Sequence, residues 1–370
     1  MKGIEAVFNC LRAIQYDPQN PCGRSVDLSL QARVSDIHPS DYYQWLYEQR
    51  KGIEVYDKEL TVVPIEDLPL CRGVFPKSRK RKLIKFLEDN KKELRHLLAR
   101  IKKEGPICSG DISEGKKVDI FWEPVRWSKA ALDSLWKAGK LVICRRENGR
   151  KYYDLPQRVY GERFVWKSKS FEDELHYKCV LRRVKSVGML TSAGTGAAWL
   201  GIGTGKEIKV ALSGLVRQKK LVEIQVDGVK DTYVIFSSDL DLLSSLEGKK
   251  IKRKMSFLSP LDNLLWDRKM VRDIFGFDYK WETYTPINSR KFGHYVLPIL
   301  YGSEFIGRIE PRFNREESAM EIRGLWLEPG FKWDDEARKS FQMCLERFQK
   351  YLGGKCVSWL CKAPRLVKNI

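Results

Sequence analysis

ALDSLWKAGKLVICRRENGRKYYDL, residues 131–155, is echoed eighty residues on by ALSGLVRQKKLVEIQVDGVKDTYVI, residues 211–235. Six of the first twelve positions are identical, which marks the two stretches as copies of one structural unit. Each opens with apolar residues at helical spacing and ends that helix on basic residues. Each then starts a short strand at Leu-Val, turns at Asn148-Gly149 or Asp227-Gly228, and returns as a second strand. A helix feeding a two-stranded wing is the C-terminal half of a winged helix. A hairpin cannot bury its apolar face alone, so preceding helices must complete each unit. EGPICSGDI, 104–112, opens the first copy, and the segment beginning FEDELHYKCVLRRV at 171 opens the second.

Outward from this pair, residues 1 to 85 form a third, more divergent unit. Its first helix spans 3–14, with Val7, Phe8, Leu11 and Ile14 on one stripe, and a second helical pattern covers 39–50. A strand or turn region then leads to Pro64 and Pro69. Beyond 250 the pattern changes to strand-like runs, WETYTP, YVLPILY and EFIGRIEPRF, with a hairpin at Gly302-Ser303; Pro298 argues for an edge or a bulge. A last amphipathic helix runs from Asp334 to Tyr351 with Phe341, Cys344, Leu345, Phe348 and Tyr351 inward, and KAPRLVKN makes a basic end. The expected fold class is α+β: tandem winged-helix (helix-turn-helix) domains followed by a C-terminal β-barrel-like domain with a terminal helix. The expected domains are 1–85, 86–165, 166–248 and 249–370.

The chain has 370 residues, 43% of them hydrophobic, with a formal charge of +20 from 68 Lys and Arg against 48 Asp and Glu. Such an excess favours a polyanionic partner, nucleic acid before an anionic membrane surface. MKGIEAVFNCLRAI is interrupted by charges, and no stretch approaches eighteen uninterrupted apolar residues, so neither a signal peptide nor a membrane span is expected. The nine cysteines contain no CxxC pair and the four histidines form no metal motif. Free thiols in a reducing cytoplasm and no structural zinc are the expectation.

The segment KSRKRKLIKFLEDNKKELRHLLARIKK, 77–103, reads as one or two amphipathic helices broken near Asp89-Asn90, with a dense basic face. The helical stretches 128–140 and 207–218 carry few base-reading side chains. Recognition by shape and phosphate contact is therefore expected over a strict sequence code. Candidate DNA contacts are Arg24, Ser25, Arg33, Lys80, Arg81, Lys82, Lys129, Lys209, Arg217, Arg253 and Arg268. GIGTGKE, 201–207, lacks the GxxxxGK[ST] spacing of a phosphate loop and reads as a loop with helix caps.

One short stretch carries candidate chemistry. In AIQYDPQNPCGRS, 13–25, Gln15 and Asp17 lie two positions apart, and Pro18 disfavours helical backbone at Asp17. Extended backbone turns the two side chains to one face. There a carboxylate can stabilise a developing positive charge and polarise water, and an amide can orient that water. Taken alone, the same residues also make an ordinary turn, since Asp before Pro commonly caps one.

The whole chain resembles the winged-helix DNA glycosylases of the YcaQ/AlkZ type. The resemblance rests on IQYDPQNPCGRS, VVPIEDLPL at 62–70, WSKAALDSLWKAGKLVICRRENGRKYYDLPQRV at 127–159, FLSPLDNLLWDRKMVRDIFGFDYKWETYTP, and RKFGHYVLPILYGSEFIGRIEPR. It implies three tandem winged-helix domains with a C-terminal β domain, and excision of alkylated purines or unhooking of interstrand crosslinks. The family motif of Gln, an apolar residue, then Asp or Gln falls on Gln15, Tyr16 and Asp17. By this resemblance Asp17 stabilises the oxocarbenium-like sugar and helps activate water, and Gln15 positions the water.

A purine alkylated at N7 or N3 is already a cationic leaving group, so no Schiff-base lysine, metal or cofactor is called for. A monofunctional enzyme is expected, without lyase activity. Bulky lesions also favour reading the damaged base without enclosing it in a snug pocket. The chain departs from the family at Arg24-Ser25-Val26, where Arg-Ser-His is common. It departs again near Lys58, where a family histidine is replaced, and both departures bear on crosslink unhooking. The expected partner is double-stranded DNA containing alkylated or crosslinked purines, bound by a cytoplasmic, nucleoid-associated monomer with no membrane contact. The alternative from the residues themselves is a non-enzymatic winged-helix DNA-binding or regulatory protein.

If the basic helices meet phosphates, the double charge reversal Arg81→Glu with Lys82→Glu weakens duplex binding. It should also flatten the plot of log affinity against log salt by about 0.9 for each phosphate no longer neutralised. An unchanged slope in a salt titration would make the run a merely solvated face.

Overall fold

The computed structural model describes residues 2–71, 77–113, 116–120, 124–165 and 173–361. The two repeats take the expected form. The helix Trp127–Lys137 leads to the antiparallel strands Val142–Glu147 and Arg150–Asp154, and the helix Gly205–Arg217 leads to Leu221–Gln225 and Thr232–Phe236. In the first copy Asn148 and Gly149 both take positive φ, +48° and +82°, as a tight two-residue turn requires. A third hairpin, Gly52–Asp57 with Glu59–Pro64, turns at Lys58 and is again preceded by helical chain, Pro39–Tyr43 and a wider-turned stretch Gln44–Glu48. The basic segment is two helices, Lys77–Asp89 and Lys91–Glu104. Asn90 makes the break: its amide donates to the Phe86 carbonyl at 2.9 Å and accepts the Trp127 indole N–H at 2.7 Å.

The residues gather into two compact units, one of Met1–Tyr42, Val180–Trp199 and Thr204–Ile370, the other of Tyr43–Cys179 and Leu200–Gly203. Each unit takes residues from more than one of the four linear segments, which stand as a proposal about folding modules. In the second unit the buried carboxylate of Glu54 locks the wings Gly52–Asp57 and Val142–Glu147 together. It accepts from Arg146 at 2.6 and 2.9 Å, and the Trp136 indole donates to the Glu54 carbonyl at 3.2 Å. Burial alone would raise its pKa, but Arg146 and the Tyr47 hydroxyl hold it below the usual value.

The first unit is built on a five-stranded sheet in the order Met255–Phe257, Leu297–Tyr301, Glu304–Asn314, Ala319–Leu327 and Cys356–Trp359. It is curled but open, a half-barrel, with its last pair parallel and the others antiparallel. The helix Asp335–Leu352 is capped by the Asp334 carboxylate and buries all five residues of the expected stripe. Its Phe341 and Phe348 rings meet Phe257 edge-on at 5.8 and 6.0 Å. The final strand, Cys356–Trp359, follows this helix and has no sequence signal. Pro298 pairs with Arg308 in an inner strand, one residue from a register shift at Ile299/Leu300, so the bulge reading holds there and the edge reading does not. The basic end 362–370 lies outside the described residues.

Two further expectations are corrected. The first helix ends at Leu11 rather than Ile14, because Arg12 adopts φ +57° and the chain leaves as the short strand Ile14–Gln15. WETYTP, 281–286, is a loop and not a strand. Its backbone is organised by a side chain, Glu282, whose carboxylate accepts the N–H groups of Lys291, Phe292 and Gly293 at 2.8, 2.8 and 3.3 Å.

FLSPLDNLLWD is the fixed point of this unit. The Asp262 carboxylate, fully buried, takes both guanidinium nitrogens of Arg33 at 2.7 and 2.8 Å. The Asn263 amide donates to the carbonyls of Ala13 and Ser186 at 2.8 and 2.9 Å. Leu258, Leu265, Met270, Val271, Phe277 and Phe305 pack with Ala32 and Tyr233 into one apolar cluster beside them. Asp262→Ala leaves the Arg33 cation, only 28% exposed, without its carboxylate. Denaturant unfolding should show a loss of about 2–3 kcal/mol.

Candidate active site

Gln15 and Asp17 sit where the first strand gives way to irregular chain, and each is only 9% exposed. One fully buried hydroxyl brackets them. Ser25 Oγ accepts the Asp17 N–H at 2.8 Å and donates to the Gln15 carbonyl at 2.8 Å. Ser25 opens the helix Ser25–Gln31, whose first turn is held by Asp27 accepting the Arg24 N–H at 3.2 Å. Asp17 in turn accepts the Gln19 N–H through Oδ1 at 2.9 Å, a turn closed by a side chain. The loop is tied down further on, where Phe313 N–H donates to the Pro21 carbonyl at 2.7 Å and Arg315 donates to the Asn20 carbonyl at 2.9 Å. The catalytic candidates are thus backbone-fixed before any ligand arrives.

Burial pushes the Asp17 pKa above its usual value. The Gln19 N–H and, to a lesser extent, the Tyr284 hydroxyl pull partly the other way. Tyr284 belongs to the Glu282 loop, stands 75% exposed, and meets Trp281 edge-on at 5.5 Å. Trp281 in turn meets the buried Tyr295 at 6.0 Å. An open cleft of about 720 Å³ borders the loop, lined by Gln19, Asn20, Pro21, His294, Tyr295 and Glu310 among others. Glu310 accepts the N–H groups of His294 and Tyr295 at 2.6 and 3.2 Å. A Cβ at 293 would lie well inside van der Waals distance of Glu310 Oε2, so a side chain there would push that carboxylate from its place on the two N–H groups.

The other sequence-derived contacts separate by environment. Ser25 is fully buried and its hydroxyl bridges the Asp17 and Gln15 backbone, while Arg33 is an exposed residue whose guanidinium pairs with Asp262. Arg24 is half-buried at the start of its helix and acts electrostatically on Asp27, beside Tyr351. In the first unit Lys209, Arg217, Arg253 and Arg268 are exposed, with Arg253 over the Tyr301 ring at 5.5 Å and Arg268 over Tyr279 at 5.9 Å. In the second unit Arg81, Lys82 and Lys129 are exposed, and the Lys80 side chain lies outside the described residues. GIGTGKE is a capped loop as expected: Thr204 and Glu207 satisfy each other's backbone N–H groups. Among the described residues no group of three or more His, Cys, Asp or Glu is arranged to hold a metal ion, and no helix is long and apolar enough to cross a membrane.

A family model described as DNA glycosylase AlkZ-like matches residues 8–351, a span that contains Gln15 and Asp17. Among solved structures, the Streptomyces sahachiroi DNA glycosylase AlkZ resembles this chain with a TM-score of 0.58 at 12% identity, over 94% of this chain and 91% of that one. At that identity the second likeness is one of fold.

The raised Asp17 pKa has a consequence for stability with a definite sign. A carboxyl whose pKa is higher in the folded state stabilises the fold fully below its unfolded value. That contribution is lost as pH rises through the folded value. Asp17→Asn keeps the acceptor for the Gln19 N–H and never ionises. Thermal unfolding at pH 7 should therefore find it at least as stable as wild type, with the difference vanishing below about pH 4. A clearly less stable Asp17→Asn at pH 7 would give Asp17 a structural role instead.

Proposed function

We propose that this chain, which belongs to the AlkZ-like family of DNA glycosylases, hydrolyses the N-glycosidic bond of purines made cationic by alkylation at N7 or N3. DNA repair by base removal is the general activity of that family. The finer chemistry is supported above all by one observation: a desolvated carboxylate, Asp17, backbone-fixed beside Gln15 through the shared Ser25 hydroxyl.

The chemistry asks little else of the protein. As the C1′–N bond breaks, its electron pair passes to the purine and neutralises the ring, which leaves as a stable molecule. Positive charge develops on the sugar. A carboxylate held out of bulk water stabilises that charge far more than an exposed one would, because little solvent screens it. The attacking water forms the new C1′–O bond and gives its proton toward Asp17, whose raised pKa makes it a stronger base than an ordinary aspartate. Gln15 supplies one donor and one acceptor to orient that water. No lysine is required as a nucleophile, so the product is an intact abasic site. The exposed basic residues Arg81, Lys82, Lys129, Lys209, Arg217, Arg253 and Arg268 are proposed to hold the duplex through its phosphates, around a monomer.

The test is incubation with duplex DNA carrying N7-methylguanine, followed by alkali to reveal abasic sites. Wild type should generate them. Asp17→Asn should lose about 10²–10⁴-fold in single-turnover rate and Gln15→Ala a smaller factor, with duplex affinity retained in both. Equal release by wild type and Asp17→Asn would overturn the mechanism. Binding without release by wild type would favour a non-enzymatic DNA-binding protein. A crosslinked duplex run alongside decides whether unhooking survives the loss of the family histidines near Val26 and Lys58.

A further inference from the structure

We propose that residues 237–254 form a self-complementary surface through which two free copies of this chain pair, and that duplex DNA releases them by taking the basic half of it. Only the competition with DNA rests on the function proposed above.

The segment SSDLDLLSSLEGKKIKRK joins the last strand of the second repeat, Thr232–Phe236, to the first strand of the five-stranded sheet, Met255–Phe257, and lies wholly within the first unit. Every residue from 238 to 254 is exposed. Its middle is the helix Leu240–Leu246, only seven residues long. Helical spacing sets Leu242, Leu243 and Leu246 on one side with Leu240 at their edge, and Asp241, Ser244 and Ser245 on the other. That is the pattern of a helix lying on an apolar surface, yet its leucines are between 38% and 60% exposed, and Ile251 beyond them is 52% exposed. A helix this short does not hold itself in water; its order comes from packing its apolar face. An apolar face left open in this way marks a contact surface.

Charge identifies the occupant. The helical half, 237–247, carries Asp239, Asp241 and Glu247 and no cation. The half after it, 249–254, carries Lys249, Lys250, Lys252, Arg253 and Lys254 and no carboxylate. Among the described residues none of these charges makes an ion pair. The basic half also lines an open cleft of about 670 Å³, where Lys249, Lys250, Lys252 and Arg253 outnumber Glu304 and Glu336, so an acidic occupant is favoured.

A bare polyanion satisfies that half alone. A phosphate backbone or an anionic lipid surface laid along the whole segment meets the carboxylates beside the leucines and is repelled there. The matching occupant carries exposed leucines flanked by acids, followed by cations, and the segment itself is such an occupant. Two copies related by a two-fold axis set leucine against leucine, with the acidic half of each against the basic half of the other. One short segment from each partner makes a small interface, so the dimer is weak and reversible, with a Kd on the order of 10–100 µM. Arg253, a proposed phosphate contact, belongs to the basic half. A bound duplex therefore takes the partner of the acidic half, which keeps the chain a monomer on DNA and a reversible dimer off it.

Sedimentation velocity of the full chain from about 1 to 200 µM is the test. Wild type should pass from monomer to dimer across that range, and Leu242→Ser with Leu246→Ser, a change at exposed positions, should stay monomeric. Two charge variants, Asp241→Lys with Glu247→Lys and Lys249→Glu with Lys250→Glu, should each pair about tenfold more weakly. An equimolar mixture of the two should recover pairing, because each complements the other; recovery also shows that both are folded. Undamaged duplex added to wild type should dissociate the dimer. A chain monomeric throughout overturns the proposal, and one that is also captured by phosphatidylserine vesicles gives the surface to a membrane instead. Dimers that survive the leucine and charge variants overturn it too, by placing the contact elsewhere. A segment-dependent dimer that duplex leaves intact upholds the pairing and overturns the competition. None of these readings uses base release, so a chain that excises no base still decides the pairing.

Discussion

The rest of this structure depends on two side chains, Asp262 and Asn263, that hold residues more than two hundred positions away. Asn263 fixes the Ala13 carbonyl two residues before Gln15, and Asp262 fixes Arg33 just after the helix that Ser25 begins. Between these two anchors lies the segment that carries Gln15, Asp17 and Ser25. A carboxylate kept out of water is costly and would turn outward if its backbone were free. Ties at both ends, with Ser25 bracketing Gln15 and Asp17 between them, prevent that escape. The ties that hold the candidate segment are the ones that keep it buried.

This arrangement explains why so little chemical machinery is needed. The proposed leaving group carries its own positive charge, so the protein contributes a preorganised negative charge and an oriented water. Preorganisation is what the long-range ties provide: the dipoles and the carboxylate are in position before the sugar cation forms. The cost appears as the raised Asp17 pKa, a small local conflict between stability and function of the kind that marks working sites.

Much of the fold is legible in the sequence, because it is written in short-range signals. The 131–155 and 211–235 repeats announce their helices and wings through 3.6-residue spacing and Asn-Gly or Asp-Gly turns, and the terminal helix shows itself through its apolar stripe. Misreadings arise where a side chain rather than a neighbouring strand satisfies the backbone. WETYTP has the aromatic and β-branched composition of a strand, yet Glu282 organises it as a loop. The strand Cys356–Trp359 pairs in parallel with one that starts 37 residues earlier, a non-local partnership that leaves no local mark. The candidate site is half visible. Gln15 and Asp17 stand out through a motif, whereas the bridging of their backbone by Ser25 and the pairing of Arg33 with Asp262 join residues too far apart in sequence to leave a local mark.

The central claim is that a desolvated Asp17, in its charged form, drives release of a cationic purine. The most direct measurement is the single-turnover rate of N7-methylguanine release as a function of pH, corrected for enzyme-free depurination. The account predicts a rate that falls on the acid side through a single ionisation above the ordinary aspartate value, with that limb missing and the rate low throughout in Asp17→Asn. A wild-type rate flat down to pH 4, or the same limb persisting in Asp17→Asn, would contradict it.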